Sequence, residues 1–342
     1  MEWTLVGVVF GLLGLAVFAQ VYQNNFVMNS PAKFSVYCAV YPYSYNNMNP
    51  LNQTDFEMQI QKVKEIGFKG VLLWNVECFY DDGKLEWVMG LLKNCGLDVV
   101  IPVQYFNRTY SFPFPSEAWN RKGFMENDEE LNLFCEYLTN VSMLVRSYVN
   151  FKGWIIYYPF NSSESEFWYW HERIAWISYK WKLQYVIDAI RKASGHPIYL
   201  GVELWKEYPQ DLYDRLPKDF NFINGFSFQP YNTIKDDIQE DKIKELYLYW
   251  RKFSKNVEIA EFGYATQNSI YIHGLASTET RKTEMIKEFL NYVKSLGFPD
   301  FVCYFGLTDF PPENADFGLI YANYTLKPSG NAMKEWITKN EI

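Results

Sequence analysis

Short apolar runs alternate with amphipathic stretches along most of the chain. Eight runs have the length and composition of buried strands: residues 34–43, 70–79, 98–106, 153–161, 197–205, 223–231, 257–265 and 301–310. The clearest stretches between them, at 55–68, 84–97 and 283–298, carry apolar residues at helical spacing. Near-continuous apolar strands that alternate with helices predict a parallel sheet covered on both faces.

A repeated junction supports this order of elements. KEIGFKGV, KNCGLDVV and KSLGFPDFV each join a basic last helical turn to a glycine and then to a strand. Eight strand-helix units predict a single α/β domain, a closed (β/α)8 TIM barrel over residues 34–342. The rival architecture is a doubly wound open sheet. It is disfavoured because YPYSYNN follows the first strand, where a dinucleotide-binding fold would carry a glycine-rich loop.

The N-terminal segment differs from the rest of the chain. Residues 3–22 are almost uninterruptedly apolar, and twenty residues of helix span about 30 Å, enough to cross the hydrocarbon core of a bilayer. Val17-Phe18-Ala19 also offers the small residues of a signal-peptidase site. We therefore expect residues 1–22 to be a signal peptide or a membrane anchor, with cleavage or retention left open, and the polar residues 23–33 to be a linker.

The predicted location follows from that segment: outside the cell or at its surface, either secreted or anchored by one N-terminal transmembrane helix. Potential N-glycosylation sites support the same expectation of a glycoprotein. They stand at Asn52, Asn107, Asn140, Asn161 and Asn323.

Composition excludes several classes of function. The net charge of −8 and pI near 5.1 argue against a nucleic-acid partner, which would need a basic surface. Three His and five scattered Cys, without a CxxC pair or HExxH, predict no metal and no cofactor. Aromatic residues make up 19% of the chain, which suits both a packed core and a groove that stacks on sugar rings.

In such a barrel the active site forms at the carboxyl ends of the strands. Lys and Arg are absent from the predicted ends, so phosphorylated substrates are disfavoured. Carboxylates converge there without a metal or a Ser-His pair. Such a set suits glycoside hydrolysis, in which one carboxylate attacks or activates water and the other protonates the leaving oxygen.

Strand seven carries a family resemblance. NVEIAEFGYAT at 256–266 resembles the retaining (β/α)8 glycoside hydrolases of clan A, which include cellulases, mannanases and related β-glycanases. The resemblance implies that Glu261 is the nucleophile and that Tyr231, in Gln229-Pro230-Tyr231, orients it. The last segment, 304–336, with its Phe-Gly-Leu and Lys-Pro, resembles the strand-eight close of the same clan.

Strand four departs from that resemblance. The clan places its acid/base Glu in an Asn-Glu-Pro motif, and the corresponding places in GWIIYYPFNSSESE fall at about Tyr158 and Pro159. The acid must come from elsewhere or be missing. The candidates are Glu164 on the following loop, Glu203 on strand five and Glu77 on strand two. Retention needs carboxyl groups about 5–5.5 Å apart and inversion about 6.5–9.5 Å, so the stereochemistry stays open.

Two functions follow. The first is an exported glycoside hydrolase that cleaves β-linked oligo- or polysaccharides by retention, with Glu261, Glu164, Glu203 and Tyr231 as catalytic candidates. The expected substrate-binding residues are Trp74, Glu77, Gln104, Asn161, Trp205, Gln229 and Asp309. The alternative is a catalytically silent barrel at the cell surface that binds glycan or a protein partner. The departure at strand four favours this alternative, and the motifs of strands six to eight oppose it.

Overall fold

Eight parallel strands close into a barrel in the computed structural model, and each strand pairs with its sequence neighbours, β1 with β8 included. The structure describes residues 35–42, 51–103, 128–157, 173–203, 218, 223–230, 234–254, 256–266, 274–297, 301–309 and 316–340. The predicted single (β/α)8 barrel is therefore confirmed, and the open sheet is excluded because no strand edge is left unpaired among the eight.

The strands are shorter than the apolar runs that predicted them. They are β1 Ser35–Val40, β2 Gly70–Leu73, β3 Asp98–Val103, β4 Phe151–Tyr157, β5 Ile198–Glu203, β6 Gly225–Gln229, β7 Val257–Phe262 and β8 Phe301–Tyr304. The helices in the described part are α1 Gln53–Ile66, α2 Val76–Asp81, α3 Leu85–Asn94, α4 Asp128–Val145, α5 Arg173–Ser194, α6 Glu240–Arg251, α7 Glu279–Ser295 and α8 Pro328–Asn340.

Strand two differs from prediction because part of its apolar run forms a helix. The apolar run 70–79 predicts one strand, but β2 ends at Leu73 and α2 begins at Val76. Asn75 has a left-handed backbone, with φ of 51°, and this conformation turns the chain out of the sheet. Val76 and Phe79 are still buried, but in the layer between helices and barrel. The apolar run therefore reflects burial in two different layers.

Local signals at the helix ends explain the predicted junctions. The Asn52 side chain accepts a hydrogen bond from the backbone N–H of Asp55 at 2.8 Å and so caps α1. Gly67 ends the same helix with φ of 98°, a conformation that costs glycine little. Gly96 and Gly297, in the other two junctions, also have positive φ.

Apolar side chains form two concentric cores because successive residues of a strand face opposite sides of the sheet. The larger core, the outer core, lies between strands and helices. The smaller one, the interior core, fills the barrel and contains Tyr37, Ala39, Leu72, Trp74, Val100, Ile155, Tyr199, Ala260, Phe301 and Cys303. The Tyr37 and Phe301 rings stack at 4.6 Å near the amino ends of the strands. Gly70 makes room for them, because a Cβ there would lie 2.8 Å from the Tyr37 ring.

The predicted location requires correction. No helix among the described residues is long and apolar enough to cross a membrane, which overturns the predicted N-terminal transmembrane anchor. Residues 1–22 and the linker 23–33, from which that location was inferred, lie outside the described residues.

The packing of α7 on the barrel gives a stability prediction. Phe289 is fully buried and stacks on Phe262 with ring centroids 4.1 Å apart. Replacing it in Phe289→Ala should lower the free energy of unfolding by about 3–5 kcal/mol, through lost contact and an unfilled cavity. Denaturant unfolding of the variant and of Phe253→Ala checks this. Phe253 is 42% exposed, so its loss should cost about 1 kcal/mol or less; equal losses would contradict the assigned packing.

Candidate active site

A register shift in β7 places Glu261 at the mouth of the barrel. Ile259 pairs with Val302 and Phe262 pairs with Tyr304, so β7 has two residues where β8 has one. Such a bulge breaks the strict alternation of side chains along a strand. Ile259 and Phe262 both belong to the outer core, and Glu261, one of the two residues in the bulge, is 3% exposed.

The residue of β8 that lies opposite this bulge is Cys303, which belongs to the core inside the barrel together with Ala260. Burial, followed by the influence of Cys38 and Glu261, raises the pKa of the Cys303 thiol well above its usual range. The Glu261 carboxyl group therefore lies within electrostatic reach of this interior thiol. A neutral thiol beside it adds no competing negative charge.

Polar side chains continue from Glu261 along one side of the barrel. Ser227 and Gln229 alternate on β6 with Phe226 and Phe228, which belong to the outer core, and both polar residues are buried. Glu258 is also buried, and its Cα pairs with that of Ser227. The interior core of β1, β2 and β8 is mainly apolar by contrast. The polar side of the barrel is therefore the β6–β7 side, where the predicted nucleophile lies.

Two predicted residues meet at the ends of β5 and β6. Glu203 is the last residue of β5, and its Cα pairs with that of Gln229, the last residue of β6. The backbone therefore puts both positions at the carboxyl edge of the barrel, as the sequence predicts. Gln229 is 2% exposed, whereas the side chain of Glu203 lies outside the described part.

Aromatic rings line the barrel mouth on the side of β8, β1 and β2. Trp74, which follows β2, stacks on Tyr41 with ring centroids 6.0 Å apart and an angle of 13° between the planes. Phe305, which follows β8, meets Tyr41 edge-on at 6.0 Å. Trp74 itself is only 5% exposed. These rings form an apolar wall at the carboxyl ends of β1, β2 and β8.

Glu77 lies in the first turn of α2, directly after that wall. The Asn75 side-chain amide donates a hydrogen bond to Glu77 Oε1 at 3.0 Å. Burial is the largest influence on the pKa of Glu77 and raises it to about 7. The hydrogen bonds from Asn75 and from the Glu77 backbone amide lower the pKa by less than burial raises it, and the charge of Asp81 raises it further. A carboxyl group with that pKa can give or take a proton near neutrality, so Glu77 is a candidate acid/base as well as a substrate-binding candidate.

Asp309 has structural partners. Its carboxylate accepts hydrogen bonds from Lys327 Nζ at 2.6 and 2.8 Å and from the Gly318 backbone N–H at 2.8 Å. Lys327 is buried and Asp309 is largely buried, with side-chain exposures of 8% and 14%. The pair holds the start of α8 against the chain that leaves β8. This contact gives the Lys-Pro and Phe-Gly-Leu positions of the resemblance a structural role.

A second buried lysine reinforces the same region, and sequence reasoning did not single it out. Lys282 on α7 is fully buried and donates to the backbone carbonyls of Asp316 at 2.6 Å and Gly318 at 3.2 Å. The Asp316 carboxylate in turn accepts hydrogen bonds from the backbone N–H and hydroxyl of Thr266, which follows β7. The chain after β7 is thereby tied to the chain after β8. A helical lysine in an amphipathic pattern gives no sequence signal for this role.

The remaining predicted site residues lie outside the described part of the chain. They are Gln104, Asn161, Glu164, Trp205 and Tyr231. Among the described residues, no three His, Cys, Asp or Glu side chains come together as a metal site requires.

Comparison with known proteins gives a fold but no sequence family. No family model matches the chain, and no curated protein matches it significantly. Solved structures do match. GH5_18 from Streptomyces cattleya in complex with GlcNAc has a TM-score of 0.67 and 15% identity, over 90% of this chain and 81% of that one.

Two further matches agree. A family 39 glycoside hydrolase from Bacteroides cellulosilyticus has a TM-score of 0.60 and 12% identity, over 90% of this chain and 64% of the other. The β-glycosidase BGL167 has a TM-score of 0.61 and 12% identity, over 92% and 98%. This chain shares the barrel fold of these glycoside hydrolases. The resemblance to clan A is thus confirmed at the level of the fold, and identities this low do not extend it to activity.

The ion pair of Lys327 and Asp309 gives the prediction of this section. Replacing the lysine in Lys327→Met leaves a buried carboxylate without its cation and should lower the free energy of unfolding by about 3–5 kcal/mol. Adding Asp309→Asn should recover part of that loss, because the uncompensated charge is removed. Thermal and denaturant unfolding measure both. As a control, Lys287→Met breaks an exposed pair with Glu335 and should cost about 1 kcal/mol or less.

Proposed function

We propose that this protein is a glycoside hydrolase that cleaves β-linked O-glycosidic bonds with retention of configuration, and that Glu261 is its nucleophile. The observation that carries the proposal is the bulge in β7, which sets a buried carboxylate inside the carboxyl end of a barrel whose fold glycoside hydrolases share. A carboxylate is the group that can attack an anomeric carbon and leave again.

The reaction needs two carboxyl groups with different tasks. Glu261 attacks the anomeric carbon as the glycosidic C–O bond breaks, and a second carboxyl group protonates the departing oxygen. Water then attacks the glycosyl-enzyme and releases Glu261. Tyr231, by the family resemblance, hydrogen-bonds to Glu261 and keeps it ionised. The second group comes from Glu164, Glu203 or Glu77, since strand four offers Tyr158 and Pro159 at the usual place.

A carbohydrate substrate suits the walls of the proposed cleft. Tyr41, Trp74 and Phe305 provide aromatic surface at one side of the mouth, and Gln229 provides an amide at the other. Aromatic faces pack on the apolar faces of sugar rings, while amides bond their hydroxyls. Two of the solved structures with this fold hold GlcNAc and Manb1-4GlcNAc. We extend a saccharide substrate to this chain, with Gln104, Asn161 and Trp205 as further contacts. Asp309 is omitted because Lys327 and Gly318 engage its carboxylate.

Removing the nucleophile is the decisive experiment. Glu261→Gln keeps the size of the side chain but removes its nucleophilic charge, so hydrolysis of aryl β-glycosides and β-glycans should fall to background. Turnover of a panel of such substrates is measured from acidic to neutral pH. Glu258→Gln makes the same substitution on the same strand, farther from its carboxyl end, and should keep most of the activity.

Three results would contradict the proposal. If Glu261→Gln hydrolyses the substrates as fast as the wild type does, Glu261 is not the nucleophile. Equal losses in the Glu261 and Glu258 variants would point to a structural carboxylate. A wild-type protein that binds glycans but hydrolyses none of them would establish the silent barrel instead.

A further inference from the structure

Strand four lacks a carboxyl group where clan A hydrolases carry the acid/base, so a hydrolase with this chain needs a proton donor from another strand. We propose that Glu77, held by Asn75 at the carboxyl end of β2, is that proton donor. This inference rests on the proposed hydrolase function. It assigns one residue where the sequence left three candidates, namely Glu77, Glu164 and Glu203.

The turn at Asn75 decides where Glu77 lies. If the strand continued as the apolar run predicts, residues 72, 74 and 76 would face the interior and Glu77 would face the helix layer. The left-handed backbone of Asn75 stops the strand, and α2 buries Val76 and Phe79 in the outer core. Since each helical residue advances about 100°, Glu77 lies on a different face from those two anchors.

The conformation of Asn75 is costly and specific. A left-handed backbone costs an L-residue about 1–2 kcal/mol, and Asn tolerates it better than most. Asn75 is also buried, with 4% exposure, and its side-chain amide donates to Glu77 Oε1 at 3.0 Å. A strained residue whose side chain orients a neighbouring carboxyl group is typical of functional sites. The bond engages Oε1, and the proton is assigned to Oε2.

The environment of Glu77 favours the protonated form near neutrality. Burial is the largest influence and raises its pKa to about 7, the hydrogen bonds from Asn75 and its own backbone amide oppose this, and Asp81 on the next turn adds to it. The elements that pack against α2 present rings, Phe56 from α1 and Tyr137 from α4. Among the described residues, Asp81 is therefore the charged group that acts on Glu77.

The proton balance of the reaction is complete with this assignment. The proton on Glu77 Oε2 moves to the glycosidic oxygen as its bond to the anomeric carbon breaks and the Glu261 oxygen bonds to that carbon. The resulting Glu77 carboxylate takes a proton from the water that attacks the same carbon. The Glu261–carbon bond then breaks, and both carboxyl groups return to their starting states.

The test compares leaving groups in Glu77→Gln, with the sugar that the wild type hydrolyses fastest in the panel above. With a phenyl leaving group, which needs a proton, kcat/KM should fall by about 10²–10⁴-fold. With a dinitrophenyl leaving group, which needs none, kcat/KM should change little, but kcat should fall because hydrolysis of the glycosyl-enzyme loses its general base. Azide, which needs no general base, should restore turnover of the dinitrophenyl glycoside and yield a β-glycosyl azide. Glu86→Gln, at an exposed position of α3, is the matched control and should show neither effect.

The pH profile supplies a second readout, which a merely structural role would not move. Wild-type kcat/KM should fall above about pH 7, where Glu77 loses its proton, and Glu77→Gln should lack this limb. Asn75→Gly keeps the left-handed backbone but removes a hydrogen bond that lowers the Glu77 pKa. Its limb should therefore move to higher pH. This readout also decides the matter if Glu77→Gln does not fold.

Two results would overturn the assignment: equal losses in Glu77→Gln on both leaving groups, or an alkaline limb unmoved by Asn75→Gly. Failure of this inference is distinct from failure of the proposed function. If Glu261→Gln is inactive while Glu77→Gln behaves like the wild type, the hydrolase stands and its proton donor lies elsewhere. If Glu261→Gln behaves like the wild type, the hydrolase proposal itself fails.

Discussion

The alternation of side chains across a strand is the constraint on which the rest of the barrel depends. In a closed sheet of parallel strands, each residue is committed either to the interior or to the helix layer. A carboxylate at a strand end can therefore enter the cleft only if it stands at a position whose side chain faces the interior. The bulge between Ile259 and Phe262 relieves this requirement in β7, because it keeps both flanking side chains in the outer core while Glu261 approaches the interior. Bulges near the rims of barrels commonly aim functional side chains in this way.

Buried lysines stabilise the mouth on the same side. Lys282 lies in α7 and Lys327 directly precedes α8, and both reach back to the segment that follows β8. The desolvation of a lysine is costly, so these contacts persist only with nearly complete hydrogen bonding. Burial does lower the pKa of Lys282, with Glu279 opposing the shift. The loops that frame the cleft are thus fixed by charge-assisted hydrogen bonds, and Asp309 belongs to this framework.

The interior of the barrel is divided between two chemical environments. Ser227, Gln229, Glu258 and Glu261 make the β6–β7 side polar, whereas stacked rings and aliphatic side chains fill the side of β1, β2 and β8. A saccharide needs both, since its ring faces are apolar and its hydroxyls are polar. Glu77 sits at the edge of the apolar side, where desolvation raises the pKa of its carboxyl group, which is the environment expected of an acid.

Much of this architecture was already determined by the sequence. Periodicity, Gly67, Gly96 and Gly297 predicted the alternation of strands and helices, because burial on both faces and helix termination are local in origin. The motif around Glu261 likewise marked a strand end. Only the tertiary structure decided that 70–79 is a strand followed by a helix, that Asp309 pairs with Lys327, and that Glu77 lies in a desolvated turn. The pairing of Asp309 with Lys327 joins residues that are 18 positions apart in the chain. The end of β2 and the position of Glu77 depend on the left-handed backbone of Asn75 and on which of the two layers buries the apolar side chains that follow it. A periodic pattern indicates that a residue is buried, but only three-dimensional packing decides which residues it is buried against.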